Sequence, residues 1–129
     1  MAGMGNDMKY VCLGQEQEEQ ENLKQEYKSA KCLGEVRLGE IHLFYRYFIR
    51  IRYISYRELR QAYLREESGE SGEFLLKEFY LMLKTADGGL HKLRMEREVN
   101  AREVLAYLEE REEAVRIGFD CWDRQGRCQ

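Results

Sequence analysis

Proline is absent from this 129-residue chain, and histidine and tryptophan nearly so, with two and one respectively. With no proline and no serine-rich linker, nothing divides the chain, and one domain is expected over 1–129. No apolar run approaches the length of about 18 residues needed for a membrane-spanning helix. Residues 1–7 hold no apolar signal region, and position 2 is alanine, so the myristoylation pattern fails as well. A cytoplasmic location is expected. The four cysteines, at 12, 32, 121 and 128, form no C-x-x-C pair and match no common zinc spacing. Reduced thiols are therefore expected, and no metal or cofactor.

Catalytic signatures are missing too. His42 and His91 lack ligand-spaced partners. His42 differs in parity from Ile41 and Leu43, which places it at solvent or a rim. The run Glu-Ser-Gly-Glu-Ser-Gly (67–72) sets acids beside its glycines, which would repel a phosphate, and no Walker lysine or dinucleotide fingerprint is present. The carboxylate pairs 66/67, 109/110 and 112/113 lie in polar runs typical of solvated surface. The expectation is a non-enzyme. A small enzyme with an unrecognised site is the remote alternative.

What the chain does have is charge and aromatic rings. Charged residues make up 35% of it, yet the net charge is only −3, which argues against a general nucleic-acid binder. The charge is unevenly spread. From Ile41 to Arg65 there are six arginines against the single acid Glu58, while acids gather in 15–26 and 96–113. In Ile49–Ile54, residues Ile49, Ile51 and Tyr53 alternate with Arg50 and Arg52, the pattern of a half-buried strand with a basic outer face. Arg46, Arg50, Arg52 and Arg57 are the candidate anion or partner contacts. Pairing with the abundant acids is the plainer account of them.

The periodicity outlines the rest. Residues 1–7 read as a frayed start, Met8–Leu13 as an edge strand and Gln15–Lys31 as a helix, with a narrow stripe of Leu23, Tyr27 and Ala30. Strands follow at Glu35–Leu38, Glu40–Arg46 and Ile49–Ile54, with Ile41, Leu43 and Tyr45 on one face. Leu59–Glu66 is assigned as a strand by context and 67–72 as a loop. Glu73–Thr85 is a long strand with a bulge expected near Lys77-Glu78. Asp87-Gly88 turns it into Leu90–Glu96. Asn100 and Glu103 read as a capping box. The helix they open, Asn100–Arg111, carries Ala101, Val104, Leu105 and Leu108 on one face. Val115–Phe119 is a closing strand or an anchor, and 120–129 a tail.

This order of elements, from Gly34 to Phe119, resembles small uncharacterised bacterial proteins of pleckstrin-homology-like (PH-like) fold. The segments that carry the likeness are Ile49–Leu59, the hairpin Phe79–Leu93 and the helix Asn100–Arg111. Residues 8–31 lie outside it as an N-terminal strand and helix extension. The resemblance implies an α+β fold, a bent antiparallel sheet or partly open barrel closed by a C-terminal helix. It also implies work done by binding. In lipid-binding relatives a basic K/R-x-R motif on the second strand holds phosphoinositides; here the R-x-R candidate is Arg50-Ile51-Arg52, without a lysine-rich turn before it. The expected partner is therefore another protein, with a second copy of this chain among the candidates. Peripheral binding of anionic lipid through the basic strand face is the alternative.

Overall fold

The computed structural model describes residues 9–71, 74–111 and 115–118, and for residues 70, 71, 74 and 75 the backbone alone. The expected frayed start and tail lie outside these, as do Cys121 and Cys128. Over the described residues the architecture is mixed α+β, with nine strands in two sheets and two helices. Among the described residues the sheets do not close into a barrel.

The first sheet contains β1 (Lys9–Cys12), β2 (Lys31–Leu33), β3 (Val36–Leu38), β4 (His42–Tyr47) and β5 (Arg50–Ser55), in the order β1-β5-β4-β3-β2. Strands β2 to β5 form an antiparallel meander, and β1 adds at the edge, parallel to β5. A 3-10 turn at Tyr56–Glu58 leads to the second sheet. That sheet holds β6 (Leu59–Ser71), β7 (Phe74–Thr85), β8 (Leu90–Met95) and the short β9 (Arg116–Ile117), in the order β8-β7-β6-β9. Helix α1 (Gln20–Ser29) precedes β2, and α2 (Glu98–Arg111) follows β8. Neither is long and apolar enough to cross a membrane.

The main core lies between the sheets. Leu43, Tyr45 and Ile54 of the first sheet meet Leu64, Leu81, Leu83 and Leu93 of the second. Helix α2 closes the assembly with Ala101, Val104, Leu105 and Leu108, all fully buried, as its i, i+3, i+4, i+7 stripe requires. A second, smaller core lies on the other face of the first sheet. There Leu23 of α1 packs on Phe44, Ile51 and Tyr53, with Tyr10 and Tyr27 at its border. Tyr27 and Phe44 meet edge to face at 5.3 Å.

That second layer overturns the expectation of an outward basic face. Both faces of the sheet centre are covered. Ile51 and Tyr53 point to α1, while Arg50 and Arg52 share the face of Ile54 and Tyr45 and extend past the end of the main core. His42 is corrected as well. It is buried, 4% exposed, because its face of β4 is the α1 face. Its Nδ1 lies 2.7 Å from Glu26 Oε1. Ile41 is half exposed and precedes β4 instead of sharing the core face.

Other boundaries move for local reasons. Helix α1 starts only at Gln20, since Gln15–Glu19 offers no apolar face. The Glu58 carboxylate instead accepts the N–H groups of Gln15 and Glu16, at 2.6 and 2.8 Å, and holds that segment extended. The run after Glu66, expected as a loop, is strand to Ser71, paired residue by residue with β7; residues 72–73 lie outside the described residues. No register shift occurs at Lys77-Glu78; the irregularity is at Leu59/Gln61. Asn100 is not a cap, because α2 begins two residues earlier. It lies instead over Gly34, whose φ of +68° suits a two-residue hairpin turn and whose missing Cβ leaves room for the Asn100 amide. The Asp87-Gly88 turn is where the sequence placed it, with Gly88 at φ +92°.

Candidate functional site

The hairpin joining β4 to β5 is the end of the first sheet that neither core covers. Its last pair is Tyr47 opposite Arg50, which leaves Phe48-Ile49 as a two-residue turn. Phe48 has φ +57°, the left-handed value for which glycine is the usual choice. It is the one described non-glycine residue with positive φ. Tyr47, Phe48 and Ile49 are 47%, 76% and 75% exposed. Their internal contacts are few. The Phe48 ring meets Tyr47 at 4.4 Å, and Tyr47 stacks at 6.5 Å on Tyr45. Ile49, expected on the core face with Ile51, is a turn residue in solvent.

Strand pairing sorts the arginines by face. Arg46 lies opposite Ile51 on the α1 face, and its Nε donates to the Phe48 carbonyl at 3.4 Å. Arg37 of β3 is opposite Phe44 on the same face. Its guanidinium covers the Tyr27 ring at 4.3 Å and donates to the Tyr27 carbonyl at 3.2 Å. Arg50 and Arg52 pair with Tyr47 and Tyr45 on the opposite face, with Lys9 of β1 beside Arg50. So Arg46 and the Arg50/Arg52 pair flank the same turn from opposite sides of the sheet. Arg57 does not join them. It lies beyond the other end of β5, with its guanidinium 2.9 Å from Glu16.

On the α1 side an open cleft of about 630 Å³ lies beneath the turn. Arg37, Arg46 and Phe48 line it, with Arg97 from the β8–α2 connection and Glu35 from the β2–β3 turn. Glu35 Oε2 accepts the Glu96 N–H at 3.0 Å. Its other oxygen is buried and has no hydrogen-bond partner among the described residues. Tyr45, on the opposite face, is pushed up to about 12 by burial and then by the negative charge of Glu35. Its hydroxyl donates to the Arg94 carbonyl at 2.7 Å. It is a structural phenol and no acid–base group at neutral pH.

Ion pairing divides the basic residues into two groups. Arg65, Lys92, Arg94 and Arg102 each lie within 4 Å of a carboxylate, as does Arg57. Among the described residues Arg60, Arg111 and Arg116, elsewhere on the surface, have no such carboxylate, and at this end neither do Arg37, Arg46, Arg50, Arg52 and Arg97. Of these five, Arg37 and Arg97 were not singled out from sequence. They are far apart in the chain, and only the β2–β3 turn and the start of α2 bring them to one cleft.

Over residues 4–125 the chain matches the family model described as a domain of unknown function (DUF6709), and it belongs to that family. No curated protein and no solved structure matches it.

Proposed function

We propose that this chain is a non-enzymatic, cytoplasmic binding module that docks on anionic lipid surfaces with the β4–β5 end of its first sheet. The observation that carries the reading is the gathering of five arginines on both faces of that end, none with a carboxylate within 4 Å among the described residues. A flat protein partner laid on one face would leave the other arginines idle. A surface approached end-on meets them all. Each arginine near an anionic leaflet contributes about 1 kcal/mol. Five would give about 5 kcal/mol, a dissociation constant of roughly 0.2 mM.

The scaffold we infer is PH-like. Strands β2–β5 and β6–β8 are two successive meanders, and α2 then packs between the sheets. On that reading β1 and α1 are an N-terminal addition, and the second strand is β3, whose basic residue is Arg37 rather than the Arg50-Ile51-Arg52 run. The single-domain reading is supported by one core drawing on both sheets and α2.

One observation favours a protein partner instead. An extended peptide in the cleft would supply an N–H donor to the unpartnered Glu35 oxygen and a carboxylate to Arg37, Arg46 and Arg97.

Co-sedimentation with vesicles tests the proposal. The unmodified protein should pellet with phosphatidylcholine–phosphatidylserine vesicles at low salt, less at high salt, and not with phosphatidylcholine alone. Arg50→Glu with Arg52→Glu should abolish binding. A charge-matched control, Arg57→Glu with Arg65→Glu, alters arginines already paired elsewhere and should leave most of it. Absence of binding by the unmodified protein, or equal loss in both double variants, refutes the reading.

A further inference from the structure

We infer that the turn Tyr47-Phe48-Ile49 is a prong that enters the apolar layer of the membrane, with the arginines as a collar around its base. This rests on the lipid-surface reading and adds a second component to it, with its own residues and its own test.

Three consecutive large apolar side chains in solvent are unusual, since exposed apolar residues normally occur singly. Among the described residues the other exposed large apolar ones, Ile41, Leu76, Leu90 and Val99, are scattered in sequence. Phe48 also occupies a conformation that costs folding free energy for any residue with a Cβ, and a bulky one most of all. Glycine or asparagine would make the same turn without that cost. Packing does not repay it. The Phe48 ring touches Tyr47 and is otherwise in solvent. A residue that is unfavourable for the turn and useless to either core points to a contact made outside the molecule.

The surroundings say which contact. Arg46 and Arg50 immediately bracket the three residues in sequence and leave the sheet on opposite faces. Arg37 and Arg97 stand on the Arg46 side, Arg52 and Lys9 on the Arg50 side. When the turn enters a bilayer end-on, Phe48 and Ile49 at its apex pass the headgroups. The guanidinium groups on both sides then stop at phosphate level, where long basic side chains settle. Tyr47, half exposed with a polar hydroxyl, sits at the interface depth preferred by tyrosine. Charge complementarity selects an anionic membrane over a neutral one. The two-sided collar selects a surface that surrounds the prong over one that lies against it.

Two variants decide the matter. Phe48→Gly with Ile49→Asn installs the residues a two-residue turn prefers, so the hairpin forms without strain, and every arginine remains. Its thermal midpoint should not fall. Its affinity for phosphatidylserine-containing vesicles should drop by about 10-fold or more, because two apolar side chains no longer leave water. In a Trp122→Phe background, a Phe48→Trp reporter should shift to the blue on adding those vesicles and be quenched by brominated phosphatidylcholine. A Leu90→Trp reporter, at the exposed start of β8, should show neither effect.

If the unmodified protein binds anionic vesicles but the Gly/Asn variant binds equally and the position-48 reporter is unquenched, insertion is refuted while arginine-based docking stands. If the unmodified protein does not bind vesicles at all, both fail. If the reporter shifts to the blue with protein concentration alone, the turn packs on a second copy of the chain, and the membrane assignment is overturned.

Discussion

Glu26 is the contact by which α1 holds the first sheet, and replacing it measures how much that layer contributes. Its Oε2 accepts the N–H groups of Ile41 and His42, each at 2.7 Å. Its Oε1 lies 2.7 Å from His42 Nδ1, and since a carboxylate only accepts, that nitrogen carries the proton. The Glu26 side chain is 13% exposed. Hydrogen bonds to an ionised acceptor contribute about 1.5–3 kcal/mol each, and neutral ones roughly 0.5–1.5. Glu26→Gln keeps the shape and loses the charge, so it should cost about 2–3 kcal/mol. Glu26→Ala strands three donors, one of them near solvent at Ile41, and should cost about 3–5 kcal/mol. Urea melts at constant slope read both.

The pH dependence provides a sharper check. Burial alone would raise the Glu26 carboxyl, but the bonds from His42 and from the Ile41 and His42 backbone outweigh it and hold it below 4.5. A carboxyl depressed in the folded state adds stability that is present above about 4.5 and is lost as pH falls through the folded value. The gap between the unmodified protein and Glu26→Gln should therefore be widest near neutral pH and narrow on acidification below 4.5. Equal stability of the two at neutral pH, or a gap that does not change down to acid unfolding, would refute the reasoning.

Two more outcomes follow from burial. Leu108 is fully buried on the closing helix, so Leu108→Ala should cost about 2–5 kcal/mol in the same melts; an unchanged midpoint would mean that α2 does not seal the core. Cys12 and Cys32 are free, with Cys32 exposed and the Cys12 thiol donating to the Glu16 carbonyl, so under native conditions Cys32 should alkylate before Cys12, as mapped by peptide mass analysis; the reverse order would contradict the placement of β1. Freshly purified protein should show no mass change on reduction, at about two mass units per bridge.

What was legible in the sequence was whatever a single element decides by itself. The stripe Ala101, Val104, Leu105, Leu108 needs only one apolar face to identify α2, and Asp87-Gly88 needs only a positive φ. What was not legible depends on a second element. His42 and Phe44 alternate with Leu43 and Tyr45, and both sets are buried. Alternation tells which residues share a face, but not whether the other face is wet. The element that covers it, α1, is mostly polar and brings Leu23 and the flank of Tyr27, so its docking leaves almost no apolar signature. Glu26 looks like one more acid of an acidic helix until the fold places it over Gly39 and the start of β4.

The candidate site was obscured for the opposite reason. A turn is normally announced by glycine, asparagine or proline, and Tyr47-Phe48-Ile49 has none, so Ile49 read as the first core residue of β5. Arginine pairing is likewise a property of space. Twenty-four acids made partners seem plentiful for every cation, yet at the cleft the Glu35 carboxylate accepts the Glu96 N–H instead of meeting an arginine. Neither the Glu35 nor the Glu96 carboxylate comes within 4 Å of Arg46 or Arg97 among the described residues, although both acids line the same cleft. The unusual Phe48 turn and the gathering of arginines without a carboxylate within 4 Å fall together. Where independent departures from good folding practice coincide at one place on the surface, folding is a poor account of them, and the proposed membrane contact would account for both.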